Sequence, residues 1–155
     1  MSAKVLDACC GSRMFWFDKN DDRTVFNDIR QESHILCDGR NLDIKPDTKY
    51  DFTNLGFDDE QFHLVVFDPP HLKNVGDEAY MAKKYGKLTG DWHKMLADGF
   101  KECFRVLKPN GTLIFKWNED QIKVKEILGL TDQKPLFGHR SGKASKTHWI
   151  AFIKN

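Results

Sequence analysis

The sequence predicts an α/β domain, an open, mainly parallel, twisted sheet with helices on both of its faces. Three observations predict it: short apolar runs alternate with segments of helical periodicity, the runs end at Gly, Asp or Pro, and no repeat or linker-like stretch interrupts the 155 residues. One domain spanning 1–155 is therefore expected, long enough to bury a real core.

The elements follow in chain order. Val5-Leu6-Asp7-Ala8-Cys9 is an apolar run that stops at Gly11-Ser12, as a buried strand does when it feeds a tight turn. Thr24 to Asp28 is a second strand. The polar stretch from Gln31 to Tyr50, with Gly39 and Pro46, reads as an irregular connection. Leu64 to Phe67 is a third strand, stopped by Asp68 and two prolines. Asp91 is a favourable N-cap, after which Trp92, Met95, Leu96, Phe100, Cys103, Phe104 and Leu107 fall on one helical face. A turn at Pro109-Asn110-Gly111 ends that helix and starts a fourth strand, Thr112 to Trp117. A weaker helix is expected from about Glu119 to Leu128, and Thr147 to Ile153 makes a strong final strand.

Composition narrows the function classes. Hydrophobic residues at 40% with charged residues at 30% exclude extensive disorder. A net charge of +1 means that any nucleic acid must be held by local patches rather than by overall charge. Cys9, Cys10, Cys37 and Cys103 form no CxxC pair, so neither a metal site nor a disulfide framework is expected. They read as reduced, mostly buried thiols of a cytoplasmic protein. The chain lacks a signal-peptide pattern and any apolar run of membrane-spanning length, so a soluble monomer or small oligomer, with no membrane partner, is expected.

In an open α/β sheet, ligands bind beyond the carboxyl ends of the strands, and each motif sits at such an end. Asp7-Ala8-Cys9-Cys10-Gly11-Ser12-Arg13 lacks the GxGxxG of dinucleotide folds, which disfavours a nicotinamide-dependent dehydrogenase. Gly11 lets the backbone pass closely by a ligand and Asp7 caps and orders the loop, though a plain strand-to-helix turn explains the same residues. Asp28 can accept both hydroxyl protons of a ribose, or cap a solvated turn. Asp51 and Phe52 could receive an adenine amino group and cover its ring, or serve as turn and core. The order of these residues along the chain is what raises the ligand reading for all of them.

Asp68-Pro69-Pro70-His71 is the most specific segment. Two prolines directly after a buried strand remove two amide donors and fix φ at both positions. The residue before each proline is pushed out of the helical region. The Asp68 carboxylate and the Pro69 carbonyl become rigid acceptors at a strand tip, a pair that suits an amino group with two N–H donors. A methyl group placed in line could then be attacked without full deprotonation of the nitrogen.

Together, Val5-Leu6-Asp7…Gly11-Ser12, Asp28, Asp51-Phe52 and Asp68-Pro69-Pro70-His71 resemble the class I S-adenosylmethionine-dependent methyltransferases, which have a Rossmann-like sheet. The sequence looks most like the branch that methylates amino groups, with its (Asp/Asn/Ser)-Pro-Pro-aromatic motif. With Phe115-Lys116-Trp117-Asn118 and Gly138-His139-Arg140-Ser141-Gly142-Lys143 it is similar to small enzymes often encoded by phages and prophages. The resemblance covers nearly the whole chain. It implies S-adenosyl-L-methionine as cofactor, with Asp7, Ala8, Cys9 and Gly11 around the methionine end, Asp28 on the ribose and Asp51 with Phe52 on the adenine. Asp68, Pro69, Pro70 and His71 would form the catalytic segment. It also implies a reversed final strand, Thr147 to Ile153, in a hairpin with Lys134 to Phe137.

Two departures from the family pattern stand out. Cys9, Cys10 and Arg13 occupy a loop that usually carries more glycines, implying altered loop geometry. His71 replaces the Tyr, Phe or Trp that stacks on a flipped base. It could stack, donate to the substrate or accept a proton near neutral pH.

Two basic segments remain. Lys83-Lys84-Tyr85-Gly86-Lys87 could fold over the site as a lid, and Arg140, Lys143 and Lys146 are spaced by threes near the last hairpin. Lys84, Arg140, Lys143 and Lys146 could contact phosphates of DNA or RNA, or be ordinary solvated loop residues. The expected activity is methylation of an exocyclic amino group, adenine N6 in DNA or RNA first. A protein or small-molecule amine or amide, or a catalytically silent module that binds the cofactor, are the alternatives. A chain this short has no room for a separate target-reading domain, which makes a partner subunit or homodimer an open option.

Overall fold

The computed structural model describes residues 3–73, 87–88, 90–142 and 144–155. The residues expected to form the lid, Lys83 to Gly86 with Lys84 among them, lie outside the described residues, as does Lys143.

A six-stranded mixed sheet forms the frame, in the spatial order β2-β1-β5-β6-β8-β7. Its strands are β1 (Val5–Asp7), β2 (Thr24–Phe26), β5 (Phe62–Phe67), β6 (Leu107–Asn118), β7 (Phe137–Arg140) and β8 (Thr147–Ile153). β2, β1, β5 and β6 run parallel, and β8 lies antiparallel to both β6 and β7. The α/β class and the reversed final strand thus hold. From β1 the chain moves to β2 on one side and later to β5 on the other, so the order reverses at β1, where such sheets bind ligands. Among the described residues the helices are α1 (Trp92–Val106) and α2 (Val124–Leu128), and residues 8–23 between β1 and β2 form turns.

Apolar runs become core where both faces of a strand are covered. Phe62, Phe67, Phe100, Phe115, Trp117 and Phe152 are all essentially inaccessible. α1 begins as expected, with the Asp91 carboxylate accepting from Lys94 N, and it buries Leu96, Phe100, Cys103 and Phe104 against the sheet. Gly99 sits on its inner face, where an added Cβ would lie 2.7 Å from carbons of both Phe52 and Phe67. Alanine is the better helix former by about 1 kcal/mol, but overpacking costs about 1–3 kcal/mol. Gly99→Ala is therefore expected to lower the urea midpoint, and a raised midpoint would show that the rings move aside freely.

Four sequence expectations are corrected. Gln31 to Tyr50 is not irregular: β3 (Glu32–Ile35) and β4 (Asn41–Ile44) make a separate antiparallel hairpin around Gly39, at φ +85°. It anchors by one face, through Leu42 and Ile44, both buried. The helix expected over 119–128 shrinks to Val124–Leu128, because Asn118 Oδ1 accepts from Asp120 N at 3.0 Å and Trp117 Nε1 donates to Ile122 O at 2.9 Å, holding 119–122 in a bend after β6. The partner of β8 is Phe137–Arg140, displaced from Lys134–Phe137. The Pro109-Asn110-Gly111 turn is absorbed into β6 as a bulge: Phe62 pairs with Leu107 and Leu64 with Thr112, while Asn110 takes φ 65°. The thiols also differ in part, since Cys10 and Cys103 are buried but Cys37 is exposed.

Candidate active site

The carboxyl ends of β1, β2 and β5 open into one cleft of about 290 Å³. Ala8, Cys9, Cys10 and Gly11 line it after β1, Asp28, Ile29 and Arg30 after β2, Tyr50, Asp51 and Phe52 after the hairpin, and Asp68 to His71 after β5. Three parallel neighbours thus bring most of the sequence-derived candidates to one place. Asp7, Arg140 and Lys146 are not among the lining residues.

Asp7 is fully buried. Its carboxylate accepts from Trp16 Nε1 at 2.7 Å and from Cys9 N at 3.3 Å, so it holds the β1–β2 loop to the strand end. Burial pushes its carboxyl up to about 7, against the two hydrogen bonds and with the help of Asp68 and Asp28. Cys9 is likewise pushed well up by burial, and Cys10 to about 12, so both stay protonated thiols rather than nucleophiles.

Asp28 is nearly buried and binds two backbone amides, Gly11 N at 2.9 Å and Arg30 N at 2.9 Å. Gly11 takes φ 52°, a conformation that favours glycine. Beside Asp28, Asn27 is fully buried and ties three segments together. Its Nδ2 donates to Ala8 O at 3.1 Å and Tyr50 O at 3.0 Å, while its Oδ1 accepts from Thr48 Oγ1 at 2.7 Å and Tyr50 N at 2.9 Å. Asp51 is exposed, and Thr53 donates twice to its Oδ1. Phe52 lies edge-on to Phe67, ring centres 5.2 Å apart, so it serves the core and the cleft at once.

At the strand tip, burial pushes Asp68 up to about 6, although Lys116 holds it down. Lys116 Nζ lies 3.5 Å from Asp68 Oδ2, reached from β6, which pairs with β5 in parallel register. His71 is pushed down to about 4 by burial and by Lys116, so the expected titration near neutrality is corrected: it is a neutral imidazole there. Its ring meets Trp117 edge-on, centres 6.1 Å apart. Of the other basic candidates, Arg140 is exposed on β7 in a shallow surface pocket with His139 and His148, and Lys146 pairs with Asp120 at 2.7 Å.

The cleft chemistry fits S-adenosylmethionine. Ile29, 63% exposed, lines the cleft together with Asp28 and Asp51, and an apolar side chain in a cleft that also carries carboxylates suits a flat aminated ring that is apolar on its face and a donor at its edge. Asp7, Asp28 and Asp68 act on one another electrostatically, a negative field that suits a cationic sulfonium.

Sequence reasoning missed Asn27, Trp16, Ile29, Tyr50 and Lys116. One signal was present: Lys116 is a lone cation between Phe115 and Trp117 on a strand otherwise apolar there.

Comparison with solved structures decides the fold. The chain superposes on a Pyrococcus horikoshii protein with a TM-score of 0.62 at 16% identity, covering 100% of this chain and 83% of that one. A TehB-like S-adenosylmethionine-dependent methyltransferase of Corynebacterium glutamicum gives 0.60 at 15%, covering 99% and 81%. The fold is that of the S-adenosylmethionine-dependent methyltransferases. The Burkholderia thailandensis 1,6-didemethyltoxoflavin-N1-methyltransferase, solved with S-adenosylhomocysteine, gives 0.55 at 12%, covering 99% and 71%. No family model and no curated protein matches the sequence. No helix among the described residues is long and apolar enough to cross a membrane.

Proposed function

We propose that the protein is an enzyme that transfers a methyl group from S-adenosylmethionine to an exocyclic amino group, with adenine N6 in DNA or RNA as the acceptor. The observation that carries this reading is Asp68 with Pro69 and Pro70 on the wall of the same cleft as Asp28, Ile29 and Asp51. Asp28 and Gly11 would hold the ribose and methionine regions of the cofactor, and Asp51, Ile29 and Phe52 its adenine. When bound, S-adenosylmethionine supplies an electrophilic methyl group on a positively charged sulfur.

The chain's own residues do the rest. Asp68 and the Pro69 carbonyl accept the two N–H bonds of the target amine, which localises its lone pair on nitrogen. Two consecutive prolines keep both acceptors still, so little reorganisation accompanies reaction. The Asp68 carboxylate, raised to about 6 by burial, is basic enough to take the proton that the methylated nitrogen sheds. His71, neutral and edge-on to Trp117, lines the cleft beside Asp68 and would give the acceptor ring a flat neighbour. Exposed Arg140 and Lys146 would steer phosphates from outside the cleft. A cytoplasmic location and a phage or prophage origin belong to the same reading.

Two measurements test it. Titration calorimetry is expected to show S-adenosylmethionine binding, and a folded protein that does not bind would end every methyl-transfer reading. Label from the cofactor, supplied with DNA, RNA and cell lysate and followed by digestion to nucleosides, is expected in N6-methyladenine. Label confined to protein or small molecules would defeat the nucleobase assignment alone.

A further inference from the structure

Lys116 is not among the residues that line the cleft, yet it is the cation that acts on Asp68. Three elements hold it there. β6 places it one residue past Phe115, which pairs with Phe67, so it reaches the residue that follows Phe67, Asp68. β8 sets Trp149 directly opposite it in register, with Nζ 5.5 Å from the indole centre. The β1–β2 loop brings the Phe15 ring to 5.3 Å. Those two rings are perpendicular, with centres 5.3 Å apart, and the Trp149 indole is pinned by donating to Ser141 Oγ at 3.0 Å. An ammonium seated against two aromatic rings is attracted by both and loses side-chain freedom.

The separation from Asp68 sets what the contact does. At 3.5 Å it lies at the outer limit of a hydrogen bond, so charge attraction dominates and donation is weak. An arginine could grip both carboxylate oxygens in a fork and compete with a substrate, whereas a lysine acts as a point charge on one side. We infer that Lys116 is the positioning residue of Asp68: caged by Phe15 and Trp149, its ammonium holds Oδ2 from outside the cleft and leaves the carboxylate ionised and open to an incoming amino group. This rests on the acceptor role proposed above for Asp68.

The groups facing Asp68 set the direction of the pH dependence. Asp28 beyond β2 and burial both favour its protonated form, Asp7 on β1 interacts with it as a like charge, His71 is neutral, and Lys116 supplies the opposing positive charge. Only the ionised carboxylate can accept its N–H bond with full charge and then take the proton, so activity is present above its titration midpoint and lost as pH falls through it. Removing Lys116 moves that midpoint, and the acidic limb of the rate profile with it, upward.

Lys116→Met keeps the length and apolar stem, and Lys116→Gln is the second variant should the first fail to fold. In the free protein, carbon-13 NMR of the aspartate carboxyls, with Asp68→Asn assigning the signal, is expected to show the Asp68 midpoint rising by about one to three pH units. From a midpoint of about 6, the rate at neutral pH should fall by about twofold for a rise of one unit and about a hundredfold for three, and recover at alkaline pH, with S-adenosylmethionine affinity unchanged within about twofold. Lys116→Arg should keep the midpoint near that of the parent. A midpoint unmoved in both neutral variants, or a loss of rate equal at every pH, would overturn the inference. The NMR readout needs neither cofactor nor substrate. A moved midpoint in a protein that binds no S-adenosylmethionine would instead leave the coupling standing and remove the methyl-transfer reading.

Discussion

Asp68→Ala is expected to abolish methyl transfer while leaving S-adenosylmethionine binding nearly intact. The carboxylate sits at the tip of β5, on the cleft wall, on the far side of β1 from Asp28. Loss of a preorganised electrostatic partner of the transition state typically costs about a hundred- to a thousandfold in kcat. Asp68→Asn keeps one acceptor oxygen and most of the shape, so its loss should be smaller than that of the alanine variant. The paired readouts are single-turnover transfer to a labelled acceptor and calorimetry with the cofactor alone. Equal loss of transfer and cofactor binding would mean that Asp68 is structural and that the proposed acceptor role is wrong.

Asn27→Ala should have the largest effect on the frame. One fully buried side chain makes four hydrogen bonds, to Ala8 O, Tyr50 O, Tyr50 N and Thr48 Oγ1. Each buried group left unpaired costs about 1–3 kcal/mol, so a loss of about 3–5 kcal/mol is expected once relaxation and water entry are allowed for. That is a large share of the roughly 5–15 kcal/mol that stabilises a typical domain. The bonds join the ends of β1 and β2 to residues 48–50, so cofactor affinity should fall by at least about tenfold, 1.4 kcal/mol, in whatever fraction stays folded. Urea unfolding measures the first effect and calorimetry the second. A change under about 1 kcal/mol with unaltered affinity would show that water replaces the amide without loss.

The sequence carried the sheet's centre well, and the reason is local. β5 carries the apolar run Leu64 to Phe67 and β8 the run Trp149 to Ile153, and α1 combines an N-cap at Asp91 with a full apolar stripe. The β3–β4 hairpin was hidden because it buries one face through Leu42 and Ile44 and, apart from the exposed Ile35, its strands are otherwise polar. In the cleft, Asp28, Asp51 and Asp68 were legible because each directly follows a strand or turn that ends at the same edge. Asp7 was legible as the residue that caps and orders its loop, as its bonds to Cys9 N and Trp16 Nε1 do, but Trp16 itself was not, since it lies nine residues away across a loop without regular structure. Asn27 and Lys116 depend on which segments become neighbours: Asn27 needs residues 8 and 50 side by side, and Lys116 needs the register of β6 on β5. Neither fact is encoded in a short window of sequence.

The two prolines after Asp68 have one more consequence, which concerns counting. Neither Pro69 nor Pro70 carries an amide hydrogen, so over two residues the backbone at the strand tip can take hydrogen bonds and give none. A visiting group is then sorted by how many hydrogens it brings on a single atom. On the reading proposed here, an –NH₂ group satisfies the carboxylate and the carbonyl together. A hydroxyl brings one hydrogen and would leave one acceptor unpaired in a closed site, at a cost of about 1–3 kcal/mol, or roughly ten- to a hundredfold in selectivity. A tertiary amine brings none and would be turned away twice. The strand tip would discriminate by arithmetic on hydrogens, without recognising the remainder of the molecule that carries them.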